Sequence, residues 1–264
     1  MLKDCRIECR DCIGALREAE PDSVDLVLTS PPYNMTSRKG GYADTGRYDV
    51  YEDWKTEDEY VQWTLSLFSL FGKVLKKDSA VLYNFSYSIE NPALPYRLVY
   101  EICRGTEFAL VDTIAWKKQS GLPFPANLRR LSRIWEFVWV FARKDELNTF
   151  RVHRKVSKVS EKTGQAYYRI NWNWLEARNN DQATPKLNQA TFSSELVLKL
   201  LDIYAADGYA VCDPFSGTGT TGYACQISPL KDLTYIGYEI SQKQVDYSVA
   251  RINAAEKTEG IDLF

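Results

Sequence analysis

Residues 24–34 read VDLVLTSPPYN, in which an apolar run leads into two prolines. The apolar run predicts a short buried strand over residues 24–28. The prolines fix φ and lack N–H donors, so the strand has to end before Pro31. The residue before each proline is held in extended geometry. The result is a stiff turn at the carboxyl end of a strand, which is where open α/β sheets bind their ligands.

A second stretch, residues 213–222, reads DPFSGTGTTG and follows another apolar run. Glycines let the backbone approach a ligand closely, and the helix expected beyond them begins with free N–H groups. Residues 217–222 also fit the pattern Gly-x-Gly-x-x-Gly, and Glu239 follows the next predicted strand where a ribose-binding carboxylate is expected. A nicotinamide-dependent dehydrogenase is therefore one interpretation of this region.

In this order along the chain, the two stretches together resemble the β class of S-adenosylmethionine-dependent DNA amino-methyltransferases. The resemblance covers nearly the whole chain. It implies an α/β fold with a doubly wound, mostly parallel, Rossmann-like sheet in one domain over residues 1–264. It also implies a small basic target-recognition insertion over residues 143–190. The Asp-Pro-Phe start of the second stretch belongs to the methyltransferase pattern and favours it over the dehydrogenase interpretation.

The resemblance assigns roles to residues in both stretches. The implied catalytic residues are Ser30, Pro31, Pro32 and Tyr33. The implied residues for binding S-adenosylmethionine are Asp11, Phe192, Ser194, Asp213, Phe215, Gly217, Gly219, Thr220 and Glu239. Among them, Asp11 would contact the adenine and Glu239 the ribose. Family members typically carry Phe-Pro where this chain has Phe192-Ser193, so the chain departs from the family at that contact.

Charge is distributed unevenly along the chain. The net charge is −2, but residues 117–178 contain 14 Lys and Arg against 5 Asp and Glu, a local net charge of +9. This segregation predicts one basic face for a nucleic acid, here double-stranded DNA. The predicted DNA contacts are Arg38 and Lys39 in the polar loop after the turn, and Arg129, Arg130 and Arg133 in the basic segment.

The chemistry expected of the turn is activation of an exocyclic base amine, whose lone pair is delocalised into the ring. Hydrogen bonds from the amine to the Ser30 hydroxyl and the Pro31 carbonyl would localise that pair. Tyr33 would stack on a target base flipped out of the duplex. Family members with serine at the first catalytic position are mostly cytosine N4 enzymes, so cytosine N4 is favoured, with adenine N6 as the alternative.

Composition sets further bounds. No apolar run is long enough to span a membrane, and the first residues do not form a secretory signal. The 6 cysteines are scattered, and Cys9-x-x-Cys12 has no second pair at zinc spacing, so we expect reduced thiols, no metal site and a cytoplasmic protein. A homodimer and a partner restriction endonuclease are compatible with the resemblance. A non-catalytic DNA-binding module is a further alternative, which the two intact motifs disfavour.

Apolar spacing predicts the elements between the two motifs. Thr56 and Glu59 fit a capping box at the start of a helix over residues 56–77. The other elements expected there are strands over residues 79–86, 109–116 and 134–141 and a helix over residues 93–104. Their strand-helix-strand order is typical of a parallel sheet. Trp172 and Trp174 are expected to anchor a small hairpin within the basic segment.

Overall fold

The structure is a computed structural model that describes residues 2–34, 55–86, 91–121, 131–181 and 192–255. The strands in these residues are β1 (Asp4–Cys9), β2 (Val24–Thr29), β3 (Leu75–Phe85), β4 (Phe108–Lys118), β5 (Trp135–Arg143), β6 (Val156–Val159), β7 (Ala166–Tyr168), β8 (Trp174–Ala177), β9 (Ala210–Asp213) and β10 (Thr234–Glu239). The α-helices are α1 (Cys12–Glu18), α2 (Glu57–Val74), α3 (Leu94–Gly105), α4 (Ser194–Tyr204), α5 (Thr220–Ile227) and α6 (Gln242–Asn253). The strands and helices predicted between the two motifs are all present.

Eight strands form one sheet in the order β1-β10-β9-β2-β3-β5-β4-β8. Every pairing in this sheet is parallel except those of β5, which runs antiparallel to β3 and to β4. The prediction of a mostly parallel sheet is confirmed, whereas the parallel direction expected of residues 134–141 is wrong. Strand β5 lies between β3 and β4 and runs opposite to both, with Lys117 of β4 opposite Trp135.

Each face of the sheet has its own apolar core. Neighbouring residues of β3 show the alternation, since Val81 faces one core and Leu82 the other. Helices α1, α2 and α3 pack on the first face, where Phe68 and Phe71 of α2 are buried. Helices α4, α5 and α6 pack on the second face. Helices on both faces of a mostly parallel sheet define a doubly wound fold.

Helix α2 begins with the predicted capping box. The Glu59 N–H donates to Thr56 Oγ1 at 3.3 Å, and the Thr56 N–H donates to Glu59 Oε2 at 2.8 Å. These reciprocal bonds satisfy N–H groups that a helix start otherwise leaves unpaired. The buried side of the helix includes Tyr60, Leu67 and Phe71. The helix therefore begins at the edge of the sheet where the first motif ends and runs back along the core.

Residues 143–181 divide between a hairpin and the main sheet. Strands β6 and β7 form a separate two-stranded hairpin that carries Tyr167 and Tyr168. Trp174 starts β8 at the edge of the main sheet, and Trp172 precedes it with 70% of its surface exposed. The prediction that the two tryptophans anchor a hairpin is wrong. Leu175, the neighbour of Trp174, takes the inward position of β8, so Trp174 faces outward.

The two strands that precede the motifs lie side by side in the middle of the sheet. Leu26 of β2 pairs with Val211 of β9. From β2 the chain crosses through α2 to β3 on one side, and from β9 it crosses through α5 to β10 on the other. The strand order therefore reverses between β2 and β9, and a reversal of this kind leaves a ligand-binding crevice at the carboxyl ends of the strands.

The described residues contain neither a helix suited to span a membrane nor a cluster suited to hold a metal ion. None of the helices in these residues combines the length and the apolar character required of a membrane span. The same part of the chain contains no group of three or more His, Cys, Asp or Glu side chains placed to hold a metal ion.

Candidate active site

Asp213, the last residue of β9, is buried where the two motifs meet. Its Oδ1 accepts a hydrogen bond from the Thr29 hydroxyl at 2.6 Å, and its Oδ2 accepts one from the Thr221 hydroxyl at 2.6 Å. The Phe215 N–H donates to Oδ1 at 3.1 Å. Thr29 ends β2 and directly precedes Ser30. A single carboxylate thus joins the end of the first motif strand to the glycine loop of the second.

Burial changes the ionisation of this carboxylate. Only 1% of the Asp213 surface is exposed, and loss of water raises its pKa from about 3.8 to about 6. The hydrogen bonds from Thr221, Thr29 and the Phe215 N–H oppose that rise because they favour the charged form. At neutral pH the group is therefore a buried anion stabilised by three donors.

Glu239 holds the other side of the glycine loop. Its Oε2 accepts a hydrogen bond from the Gly217 N–H at 2.9 Å, and its Oε1 accepts one from the Ser241 N–H at 2.9 Å. Glu239 ends β10, next to β9 in the sheet. The sequence prediction that Glu239 belongs to the same site as the glycine loop is consistent with this contact. The ribose contact itself stays a prediction.

The glycine loop is too tightly packed for larger residues. Gly219 has φ of +75°, and a Cβ at this position would lie 2.8 Å from the Cβ of Ser248 on α6. The Ser248 hydroxyl donates to the Gly217 carbonyl at 2.9 Å. Thr218 is buried, and its hydroxyl has no hydrogen-bond partner within the described residues. A closely held loop with an unsatisfied polar atom fits a bound ligand.

Asp11 lies at the same edge of the sheet, at the start of α1. Its carboxylate accepts a hydrogen bond from the Gly14 N–H at 3.0 Å and caps the helix. The neighbouring Arg10 N–H donates to the Glu239 carbonyl at 2.9 Å. The Asp11 side chain is exposed. The structure therefore brings Asp11 close to the chain around Glu239, and its contact with adenine stays a prediction.

Phe192 and Ser194 lie beside the second motif at the start of α4. Phe192 is buried in the core of the second face. The Ser194 N–H and hydroxyl both donate to Asp181 Oδ1 at 2.9 Å. Asp181 also pairs with Arg251 of α6. Both residues are thus fixed in place, and their cofactor contacts stay predictions.

Arg251 of α6 stabilises the glycine loop through its guanidinium group. Its guanidinium donates to the Thr218 carbonyl at 3.2 Å and to the Thr220 hydroxyl at 3.3 Å, and it stacks over Tyr223 at 4.5 Å. Arg251 and Asp181 were not predicted from the sequence, since charged residues on a helix and in a polar loop usually face solvent. Only their spatial pairing shows their role.

The turn after β2 is held by α2. The Tyr60 hydroxyl donates to the Pro32 carbonyl at 2.6 Å. Asn34 adopts φ of +52°, and its side-chain N–H donates to the Lys55 carbonyl at 2.8 Å. No donor to the Pro31 carbonyl lies within the described residues. The Pro32 carbonyl is therefore occupied by the Tyr60 hydroxyl.

A chain of hydrogen bonds leads from Ser30 into the sheet. The Ser30 and Tyr33 hydroxyls are 3.1 Å apart, and Tyr33 donates to Asn84 Oδ1 at 2.9 Å and to Glu136 Oε2 at 3.1 Å. Lys118 pairs with the other carboxylate oxygen of Glu136. Roles for Asn84, Glu136 and Lys118 were not predicted from the sequence. A signal was present, because Asn84 and Glu136 interrupt apolar strands, and a polar residue within such a run is informative.

Aromatic side chains connect the two loops. The Trp63 ring of α2 lies 5.5 Å from Phe215 in the second motif and 5.4 Å from Tyr60. The Tyr33 ring lies 4.9 Å from Phe85 at the end of β3. These contacts of α2 were not predicted from the sequence. One turn of this helix, from Tyr60 to Trp63, contacts both loops.

Most of the predicted DNA contacts lie outside the described residues, namely Arg38, Lys39, Arg129 and Arg130. Arg133 is described and is partly exposed immediately before β5. Its neighbours Leu131, Ile134 and Trp135 are also exposed. A DNA contact through Arg133 stays a prediction, and the exposed residues beside it are compatible with one.

The chain matches one protein family along most of its length. Residues 24–250 match the family model N6_N4_Mtase, described as DNA methylase. Among curated relatives, the type II methyltransferase M.MwoI of Methanothermobacter wolfeii is 29% identical over 259 residues. The match covers 93% of this chain and 34% of the relative, so this chain spans about a third of that protein's length.

Solved structures share the fold. The PvuII DNA methyltransferase, described as cytosine-N4-specific, superposes with a TM-score of 0.71 at 22% identity, covering 100% of this chain and 90% of that one. The complex of M1.HpyAVI with SAM superposes with a TM-score of 0.61 at 19% identity, covering 94% of this chain and 99% of that one. At these identities the similarity establishes a common fold.

Proposed function

The chain belongs to the N6_N4_Mtase family of DNA methylases, and from that premise we propose that it transfers a methyl group from S-adenosylmethionine to an exocyclic amine of a DNA base. The observation that carries the proposal is the 2.6 Å hydrogen bond from Thr29 to Asp213. It places the Ser30–Tyr33 turn beside the glycine loop, as transfer between two bound ligands requires. The dehydrogenase alternative does not explain the Ser-Pro-Pro-Tyr turn.

The residues around the glycine loop fit the cofactor. The glycine at position 219 lets the loop pack against α6, where a Cβ would lie 2.8 Å from the Cβ of Ser248, and the buried Thr218 hydroxyl has no partner in the described part of the chain. Asp213, Phe215 and Glu239 would hold the cofactor between the loop and α2. Bound there, S-adenosylmethionine supplies an already activated methyl group on a sulfonium.

The turn would activate the amine. The Ser30 hydroxyl and the Pro31 carbonyl would accept the two N–H bonds of the base amine and localise its lone pair on nitrogen. The Pro32 carbonyl is already bonded to Tyr60, which leaves the Pro31 carbonyl for this role. The Tyr33 ring would stack on the base, and the base would be flipped out of the duplex to reach the crevice.

Cytosine N4 is the favoured target, with adenine N6 as the second candidate. The support for cytosine is serine at position 30, the residue that family members with this activity mostly carry at that place. The family model includes both amines. Analysis of the methylated nucleosides decides between them, because N4-methylcytosine and N6-methyladenine separate by chromatography.

The central experiment measures methyl transfer and cofactor binding separately. Wild-type protein is incubated with tritiated S-adenosylmethionine and long unmethylated bacteriophage DNA, and cofactor affinity is measured by calorimetry. Ser30→Ala should lower methyl transfer by about two orders of magnitude, because an oriented transition-state contact is lost, and should leave cofactor affinity unchanged. Equal transfer by wild type and Ser30→Ala would contradict the proposal.

Three finer statements belong to the same proposal. The enzyme acts in the cytoplasm, forms a homodimer and accompanies a restriction endonuclease. The relative M.MwoI, which is named as a type II methyltransferase, supports the third statement. Sedimentation with and without DNA measures the oligomeric state, and digestion of DNA methylated by this enzyme with a candidate endonuclease tests the third statement.

A further inference from the structure

We propose that the Tyr33 hydroxyl, held by Asn84 and Glu136, is a positioning group that makes the Ser30 hydroxyl an acceptor toward the substrate amine. The inference rests on the proposed function, since the orientation of Ser30 matters only if an amine is its substrate. The stacking role expected of Tyr33 uses the ring. This further role belongs to the phenolic oxygen.

Asn84 can only accept the Tyr33 proton. The side-chain N–H of Asn84 donates to the Phe137 carbonyl at 2.9 Å, which fixes the amide orientation because a carbonyl cannot donate. Its Oδ1 consequently faces the Tyr33 hydroxyl at 2.9 Å. Asn84 is buried, so water does not compete for this contact.

Glu136 is a second acceptor for the same proton. Lys118 pairs with its Oε1, and the Tyr33 hydroxyl donates to its Oε2 at 3.1 Å. An ionised carboxylate has no proton to donate, and bonds to it are stronger than bonds to neutral acceptors. Tyr33 has one phenolic proton, and both groups on this side of it can only accept.

The direction of the Ser30–Tyr33 contact follows from this count of protons. The two hydroxyls are 3.1 Å apart and either could donate. Since the Tyr33 proton is taken by Asn84 or Glu136, the Ser30 hydroxyl has to donate to the Tyr33 oxygen. The Ser30 lone pairs then remain available to accept an N–H bond from the amine. Each bond in such a chain also polarises the next, which makes the Ser30 oxygen a better acceptor.

The opposite direction would oppose the reaction. A Tyr33 hydroxyl without acceptors would donate to Ser30 and occupy one of its lone pairs. The Ser30 proton would then be free to turn toward the amine and bind the nitrogen lone pair. That lone pair has to attack the methyl group, so a hydrogen bond to it would slow the transfer. The arrangement around Tyr33 therefore favours the productive orientation before the substrate arrives.

A double-mutant cycle on Ser30 and Tyr33 tests the inference. Tyr33→Phe keeps the ring and removes the hydroxyl, and Ser30→Ala removes the group that the hydroxyl orients. The rate of tritiated methyl transfer to unmethylated bacteriophage DNA is measured in single turnover for wild type, both single variants and the double variant. Tyr33→Phe should lower the rate about tenfold when Ser30 is present and less than about twofold when it is not. Cofactor affinity, measured by calorimetry, should stay within about twofold of wild type, since the hydroxyl acts through Ser30.

Tyr209→Phe is the matched control. It removes a hydroxyl that bonds to His153 at 2.9 Å, outside both motifs, and should leave the rate unchanged. Equal rate losses from Tyr33→Phe in both backgrounds, or no loss at all, would overturn the inference and leave the proposed function standing. A wild-type chain that binds the cofactor and labels no DNA base would overturn the proposed function, and the inference with it.

Discussion

The glycine loop after β9 and the proline turn after β2 meet at Asp213 but are built in different ways. The loop depends on two carboxylates that accept backbone N–H groups, the buried Asp213 from Phe215 and the partly exposed Glu239 from Gly217. The turn depends on proline stiffness and on a chain of side-chain hydroxyls and amides that begins at Ser30. Changes in the loop should therefore affect the fold and cofactor affinity together. Changes in the turn should affect the rate of methyl transfer alone.

The largest effect is expected from Asp213→Ala. The change leaves two buried hydroxyls and one N–H group without their acceptor, so cofactor affinity should fall about a hundredfold or more and the free energy of unfolding by about 2–4 kcal/mol. Calorimetry and urea unfolding measure the two quantities.

Asp202→Ala is the matched control for this change. Asp202 is another buried carboxylate, paired with Lys155 and Arg169 away from both loops. It should destabilise the fold by a comparable amount and spare cofactor affinity. If Asp213→Ala retained its affinity for S-adenosylmethionine, Asp213 would not belong to the cofactor site. The distinction between loop and turn would then be wrong.

Two glycine substitutions separate backbone strain from crowding in the loop. Gly219→Ala introduces a Cβ at φ of +75° and 2.8 Å from Ser248, while Gly208→Ala introduces one at φ of +80° with nothing within 4 Å. Gly208→Ala should cost about 1 kcal/mol of stability, and Gly219→Ala about 2–3 kcal/mol together with about a tenfold loss of cofactor affinity. Chemical denaturation and calorimetry on both variants make the comparison. Equal changes in unfolding free energy and cofactor affinity in the two variants would show that packing against Ser248 contributes to neither.

Asp213 also gives the loop a pH dependence. Its pKa is raised from about 3.8 to about 6 in the folded protein, so the folded state binds a proton more readily than the unfolded state. The contribution to stability is present below about pH 4 and is lost as pH rises through about 6, by roughly 1–3 kcal/mol. Asp213→Asn cannot titrate, so the difference in unfolding free energy between wild type and this variant should change over that range. A constant difference from pH 4 to pH 7 would contradict the assignment.

The smallest effect is expected from Glu136→Gln in the turn. Asn84 still accepts the Tyr33 proton, so only the polarisation supplied by the carboxylate is lost and methyl transfer should fall about threefold. Glu176→Gln is the matched control, since Glu176 pairs with Lys117 at 2.7 Å without contacting the turn. Single-turnover rates and thermal unfolding are measured for both. A loss of cofactor affinity in Glu136→Gln would show that turn and loop are not separable.

The sequence was a good guide wherever a local pattern decides the structure. The capping box of Thr56 and Glu59 is present because it needs only four consecutive residues. The strands before the two motifs were predictable from apolar runs that end in prolines or glycines. Their position side by side was not predicted, because no local pattern links Leu26 to Val211.

The features that sequence did not show depend on contacts between distant residues. Apolar spacing predicts that residues 134–141 form a strand, but it does not determine which strands pair with it or in which direction. The partners of Tyr33 come from β3 and β5, at sequence separations of 51 and 103 residues. Trp172 and Trp174 were misassigned because aromatic residues occur equally in hairpins and at sheet edges. In each case the side chains were visible in the sequence and their neighbours were not.

The position of β1 beside β10 has a consequence for how the protein is made. Thr29 is synthesised long before its hydrogen-bond partner Asp213. Strand β1 likewise pairs with β10, which is synthesised more than two hundred residues later. Pairings this distant along the chain form late in folding. A nascent chain that has completed α4 carries the Ser30–Tyr33 turn but neither Asp213 nor Glu239. The glycine loop therefore cannot form its hydrogen bonds to Asp213 and Glu239 until β10 has been synthesised.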